Sequence, residues 1–237
     1  SKLGTEIAFV SIFILSFNFS SLYKTLIIVY IMLISGFSIS VLKLIYQDPR
    51  PYFINQEIIQ LDCTGGYGNP SGHSLGSMCI YLSIWHIFVL SDNGKSINFK
   101  KYSLIFFLIL IFLIMISRLY IGVHSLDQII FGSLLGFGLY FFIFHVFEVN
   151  SNSILELNNF LDNINIKSYI LMNFAIFLVV SLFYLSNNFN YNKKWDEIMT
   201  EHCPEIQKAK KYELEAIIVL PLFLTNIFLY LSVYYDR

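Results

Sequence analysis

Six long apolar runs separated by polar stretches constrain this chain more than any other feature. They cover residues 25–42, 75–91, 103–117, 129–147, 169–186 and 214–235, and a weaker seventh covers about 7–20. Several reach the roughly 18–20 residues that a helix needs to cross a bilayer. Only 13% of the residues are charged, against about 25% in a soluble domain. Mean hydropathy is +0.65. A soluble bundle would need polar faces that these runs lack. The expectation is an all-α, polytopic transmembrane bundle of six to seven helices. It forms one domain over residues 1–237, with no internal repeat.

Threading the helices back and forth assigns the connections to two sides. Loops 46–72, 119–126 and 187–213 fall on one side, and loops 92–102 and 148–167 on the other. Lysines occur on both sides, so the positive-inside rule does not orient the chain. The net charge of -1 leaves no basic footprint for nucleic acid. Cys63, Cys79 and Cys203 form no close metal-type pair, and a Cys63–Cys203 disulfide on the shared side stays open.

The first side collects the unusual residues. Lys43 lies near the end of the second helix, and Arg50 follows in Asp48-Pro49-Arg50-Pro51. Pro70-Ser71-Gly72-His73 opens the third helix, Ser117-Arg118 closes the fourth, and His124 precedes the fifth. Charged groups at membrane depth are costly and functional by default. Three cations without matching acids describe an anion site, with Arg offering a fork of donors that suits phosphate oxygens. Pro49 and Pro51 break the helix and let Arg50 turn inward. Pro70 suits the first turn of a helix. Ser71 and Gly72 then place a hydroxyl and backbone N–H groups at a positive helix end. Two histidines beside a bound phosphate suggest one nucleophile and one general acid. Such a site needs no metal or other cofactor. A metal set of His73, His124 and Asp127 is the weaker reading, because three cations would repel the ion.

These residues fall into three ordered patterns. Lys43 is followed after six residues by Arg50-Pro51, Pro70 to His73 reads Pro-Ser-Gly-His, and Ser117-Arg118 is followed after five residues by His124. In these patterns the chain resembles the type-2 phosphatidic acid phosphatase (PAP2) superfamily, which also holds glucose-6-phosphatase and the vanadium haloperoxidases. The resemblance covers about residues 3–148 as a catalytic core, with additional membrane helices over about 169–235. It implies that His124 is the nucleophile and His73 the general acid. It implies phosphate contacts from Lys43, Arg50, Ser71, Gly72 and Arg118.

One position departs from the family pattern. An Asp four residues after the nucleophile usually orients its ring. Here Gln128 stands there, and Asp127 is one residue early, about 100° away around a helix. Gln128 is expected to orient His124, with Asp127 the alternative. The Gln, together with the Thr64–Gly68 stretch, leans towards glucose-6-phosphatase-like or dolichyl-diphosphatase-like members.

The expected function is a metal-independent membrane phosphatase acting through a phosphohistidine. Its substrate would be a lipid phosphate, prenyl diphosphate or sugar phosphate. The alternatives are a weakly active or inactive lipid-binding subunit of a membrane complex, and a channel or transporter. The expected location is the endoplasmic reticulum or another endomembrane, with a mitochondrial or bacterial membrane open. His86 and His145 read as packing residues of the opposite side, His202 as a solvated loop residue, and Glu6 as an interfacial acid.

Overall fold

The computed structural model describes residues 11, 14, 18, 22–62, 64–146 and 193–202. The expected helices at 169–186 and 214–235 lie outside the described residues, as do Glu6, Cys63 and Cys203. The run at 7–20 is described only at residues 11, 14 and 18.

Every described element is helical. Helix α1 runs Leu22–Tyr46 and stops where Gln47 takes a φ of 50° ahead of Asp48-Pro49. One turn, α2, covers Pro51–Ile54, with the proline at its start, where a missing N–H costs nothing. Helix α3 spans Gly72–Trp85 and continues as a π-helical turn over His86–Leu90. Helix α4 spans Ile97–Tyr120, begun by Ser96, whose side chain accepts from the Phe99 N–H. Helix α5 spans Leu126–Phe141 and continues as a π-helical turn over Phe142–Val146, and α6 covers Lys193–His202.

The four spanning helices all start before their apolar runs, and α1 and α4 also stop after theirs. Capped by Ser96, α4 begins at Ile97, six residues before residue 103, so the polar loop expected at 92–102 is half helix. Pro70 does not sit in the first turn of α3: the cap is Ser71 and the helix begins at Gly72. The polar connection expected at 187–213 contains α6, so the backbone of His202 ends a helix rather than crossing a loop.

Helix α3 is the centre of the bundle and packs on α1, α4 and α5. Its residues from Ser74 to Trp85 are buried, apart from partly buried Met78 and Ile84. Helix α4 is the opposite case. It buries only Ile111, Ile114 and Arg118, while Ile105, Phe106, Ile109, Phe112, Leu113 and Ile116 are exposed. A continuous apolar face of this size needs a cover in a stable protein, and a bilayer would supply one. Among the described residues four segments are long and apolar enough to cross a membrane: Ile27–Ile54, Gly72–Leu90, Ile97–Tyr120 and Leu126–His145. The chain is a membrane protein.

The alternation of direction brings the C-terminal ends of α1 and α4 and the N-terminal ends of α3 and α5 to one side. At the other side His86 bonds the Tyr140 hydroxyl at 3.0 Å and stacks on Phe144 at 4.1 Å. His145 stacks on Phe141 at 4.6 Å. Both histidines therefore pack among aromatic rings, far along α3 and α5 from the first side.

The contact between α3 and α5 depends on glycine. A Cβ on Gly132 would stand 2.7 Å from the Ser71 carbonyl, and one on Gly136 would collide with the Leu75 carbonyl. Gly138, two residues on, faces open space. Gly136→Ala is expected to lower stability by about 1–3 kcal/mol, the usual scale of overpacking, whereas Gly138→Ala is neutral or better. Thermal unfolding of the two variants in detergent checks this, and equal melting temperatures would contradict it.

Candidate active site

Arg50 is the most deeply held charge on the first side, with 1% of its surface exposed. The broken helix at Pro49 turns it inward, and backbone carbonyls grip it. Its Nε donates to the carbonyls of Gly65 and Gly66, each at 3.2 Å. Its Nη2 donates to Gly65 at 2.9 Å and its Nη1 to Val123 at 3.1 Å. The loop presents adjacent carbonyls in this way because Gly66 adopts a φ of 75°, a region open to glycine.

The same Nη1 lies 3.4 Å from Nε2 of His124. On the other edge of that ring, Nδ1 lies 3.2 Å from the side-chain oxygen of Gln128. The Gln128 amide nitrogen donates to the Pro49 carbonyl at 2.9 Å, which turns its oxygen towards the ring. The same oxygen accepts from the Ser125 N–H at 3.4 Å. The hydrogen-bond pattern thus assigns the proton to Nδ1 and leaves the Nε2 lone pair facing Arg50. Gly68 makes room: a Cβ there would lie 2.7 Å from the Gln128 nitrogen and 2.9 Å from the Pro49 oxygen. Asp127 is exposed, and no hydrogen bond among the described residues joins it to His124.

Burial holds the His124 imidazole well below its ordinary pKa, and Arg50 and Lys43 push it further in the same direction. Its bond to Gln128 opposes this shift without cancelling it. The ring is therefore neutral at neutral pH, the form that has a lone pair to donate.

Lys43, in the last turn of α1, and Arg118, in the last turn of α4, both act on His124 electrostatically. Both also act on His73, in the first turn of α3. His73 Nε2 and Arg118 Nε are buried without a hydrogen-bond partner among the described residues, as donors awaiting an acceptor would be. The guanidinium ends of Arg118 face Asp62 Oδ2, at 3.5 and 3.4 Å. Arg118 is 2% exposed and Asp62 49%, so the carboxylate closes the cation off from the solvent side. Ser71 is fully buried. Its hydroxyl accepts from Ser74 at 3.0 Å, and its N–H donates to the Gln128 carbonyl at 3.1 Å. That N–H is thereby used within the fold. A Cβ on Gly72 would meet Ile39 at 3.2 Å, so this glycine also serves the packing of α3 on α1.

The structure thus joins Arg50, His124 and Gln128 directly and sets Lys43, Arg118 and His73 around them. Sequence reasoning missed Asp62, Gly68 and the Pro49 carbonyl. The Thr64–Gly68 glycines were the available signal for the carbonyl cradle.

The PAP2 superfamily profile matches residues 24–152. The chain is similar to a dolichyldiphosphatase of Saccharomyces cerevisiae, with 28% identity over 159 residues, 64% of this chain and 57% of the relative. It is also similar to lipid phosphate phosphatase delta of Arabidopsis thaliana, with 31% identity over 70 residues, 30% of this chain and 17% of the relative. Both alignments leave a large part of the relative unmatched. Among solved structures, a transmembrane PAP2-type phosphatidylglycerolphosphate phosphatase from Bacillus subtilis superposes with a TM-score of 0.56. It shares 23% identity, and the match covers 65% of this chain and 75% of that one.

An anion bound at Arg118 would have to compete with Asp62. Asp62→Asn is expected to tighten orthovanadate or tungstate binding about two- to five-fold, the scale of a partly exposed ion pair. Isothermal titration of the two proteins measures it, and an unchanged or weaker affinity would count against the anion site.

Proposed function

The chain belongs to the PAP2 superfamily, and on that basis we propose that it is a metal-independent membrane phosphatase working through a phosphohistidine on His124. One observation carries the reading. A neutral His124, fixed through Nδ1, turns its Nε2 lone pair towards the buried Arg50 guanidinium. A phosphate oxygen held by Arg50 would put phosphorus next to a nucleophile already aimed at it.

In the first step the Nε2 lone pair forms a bond to phosphorus, and the bond from phosphorus to the leaving oxygen breaks. His73 gives its proton to that oxygen. Arg50, Arg118 and Lys43, with the Ser71 hydroxyl and the Gly72 N–H, carry the charge on the equatorial oxygens. In the second step water attacks phosphorus, His73 takes its proton, and the bond to Nε2 breaks. Inorganic phosphate leaves and both histidines return to their starting forms. Gln128 holds the ring and stabilises the imidazolium less than a carboxylate would, because a neutral acceptor makes the weaker bond.

The proposed substrate is a phosphomonoester or diphosphate borne by a lipid. The site opens at the ends of membrane helices, where a head group sits. The names of the two curated relatives, a lipid phosphate phosphatase and a dolichyldiphosphatase, support this class. An endoplasmic reticulum or related endomembrane location belongs to the same proposal and rests on the resemblance.

Purified protein in detergent with excess chelator is expected to release phosphate from phosphatidic acid or a prenyl diphosphate. Vanadate should block this release and His124→Ala abolish it. No release above the His124→Ala blank by folded protein would favour the reading as an inactive subunit. Gln128→Ala should lower kcat by about 10- to 100-fold through misalignment of the ring, while Asp127→Ala stays within two-fold of wild type, about 0.4 kcal/mol. Loss only in the Asp127 variant would reverse the assignment.

The pH dependence follows from the lowered pKa of His124. The acidic limb of kcat/KM due to this group lies below 6.5, because the ring stays neutral until the pH falls to its folded pKa. Lys43→Gln removes a charge that disfavours the imidazolium, so the limb moves up in pH in whatever activity remains. A limb that stays in place or moves down would show that Lys43 does not act on the ring.

A further inference from the structure

Helix α6, Lys193–His202, lies beyond the residues that the PAP2 profile matches, yet it packs on the site. Lys194, Glu197 and Glu201 are exposed. Trp195 and Ile198, three residues apart and so on one helical face, turn the other way into a cluster around Tyr52, Phe53 and Val123. The Trp195 ring stacks on Phe53 at 5.1 Å with 7° between the planes. It meets Tyr67 edge-on at 6.2 Å and 89°.

The residues under Trp195 adjoin the backbone that holds Arg50. Tyr67 is fully buried and directly follows Gly65 and Gly66, the acceptors of Arg50 Nε and Nη2. Val123 is fully buried, gives its carbonyl to Arg50 Nη1 and precedes His124. Phe53 lies in the turn just after Arg50 and donates its own N–H to the Arg50 carbonyl at 3.0 Å. Tyr52 next to it donates its hydroxyl to the Thr64 carbonyl. Two separate pieces of backbone, Gly65–Gly66 and Val123, therefore meet at the guanidinium, while the Phe53 turn holds the Arg50 backbone. The indole rests on the Phe53 ring of that turn and on Tyr67 beside the glycine carbonyls. Within the intervening segment Ile58 also packs on this cluster, while Asn55, Gln56, Glu57 and Ile59 are exposed, so the aromatic cover comes from Trp195.

We propose that Trp195 is a positioning residue for Arg50 and His124: α6 clamps the Tyr67 loop and the Phe53 turn, and so keeps the Arg50 fork aimed at Nε2. The proposal rests on the reading of Arg50 and His124 given above and adds a part of the chain outside the shared core to the working site. Aromatic faces bury a large area at fixed geometry. Their removal loosens the carbonyl cradle without touching substrate. The effect therefore falls on alignment in the transition state, and kcat drops more than KM changes.

Two measurements test it. Trp195→Ala is expected to lower kcat, per site titrated with vanadate, about 10- to 100-fold with KM within about three-fold. Trp195→Phe, which keeps a stacking ring on Phe53, should recover most of the rate. A purely packing role would lower thermal stability and leave kcat per titrated site at the wild-type value, and that result overturns the proposal. The second measurement needs no destabilising change at α6. The chain has 2 tryptophans. Trp85 lies towards the opposite side, bonded to the Lys100 carbonyl and the Ser103 hydroxyl. In a Trp85→Phe protein, saturating orthovanadate should change Trp195 emission, and silence there also overturns the clamp. His124→Ala runs alongside. Full turnover in that variant would overturn the phosphatase reading, and the clamp with it. Loss of turnover there, with wild-type kcat in Trp195→Ala, overturns the clamp alone.

Discussion

The buried Arg50 guanidinium is the interaction on which the rest of the site depends. A cation with 1% exposure at the end of a membrane bundle is stable only if its donors find acceptors. The chain supplies backbone carbonyls rather than an acid. Gly65, Gly66 and Val123 satisfy the fork and leave its charge unneutralised. A carboxylate in their place would have cancelled the positive field that an anionic substrate needs. Much of the surrounding sequence follows from this choice. Two prolines stop α1 so that Arg50 can turn in, Gly66 takes a left-handed conformation, and the turn before His124 faces its carbonyl inward.

The same constraint accounts for Gln128. Its nitrogen must meet the Pro49 carbonyl and its oxygen must meet the His124 ring. An amide has a donor and an acceptor at opposite ends, which an ionised carboxylate lacks. A carboxylate there would set one oxygen against the Pro49 carbonyl, acceptor against acceptor, next to the turn that carries Arg50. The loss of imidazolium stabilisation is thus linked to a gain in fixing the Pro49–Arg50 turn. Gly68 belongs to the same arrangement, because any side chain there would fill the space of the amide.

The spanning helices were legible because lipid demands long apolar runs, and the runs at 25–42, 75–91, 103–117 and 129–147 each overlap one of the four membrane-capable segments among the described residues. Their ends were less legible. Ser96 starts α4 through Asn98, Lys100 and Lys101, since charged residues suit the interfacial turns of a helix as well as a loop. The gathering of Lys43, Arg50, His73, Arg118 and His124 on one side was legible, because antiparallel threading alone puts them there. What holds them was not. Carbonyl acceptors such as those of Pro49, Gly65 and Val123 carry no side-chain signature, and Asp62 looked like any loop acid. Helix α6 was hidden for a different reason: among its described side chains Trp195 and Ile198 mark the inward face, a short pattern in a charged stretch.

Asp62 and Arg118 show how the fold manages the remaining charge. Arg118 is buried and Asp62 half exposed, so the two partners differ in what they lose on separation. Released from Arg118, the Asp62 carboxylate regains water, whereas the guanidinium stays in place with its Nε still lacking an acceptor. A phosphate oxygen arriving at Arg118 meets a fixed cation and a movable competitor. The pair is therefore weak in the direction that substrate binding requires and strong enough to screen the cation when no anion is bound. With Arg50 held by neutral carbonyls and Arg118 by a half-exposed carboxylate, the proposed phosphate would meet one cation left unneutralised and one whose partner can swing into water.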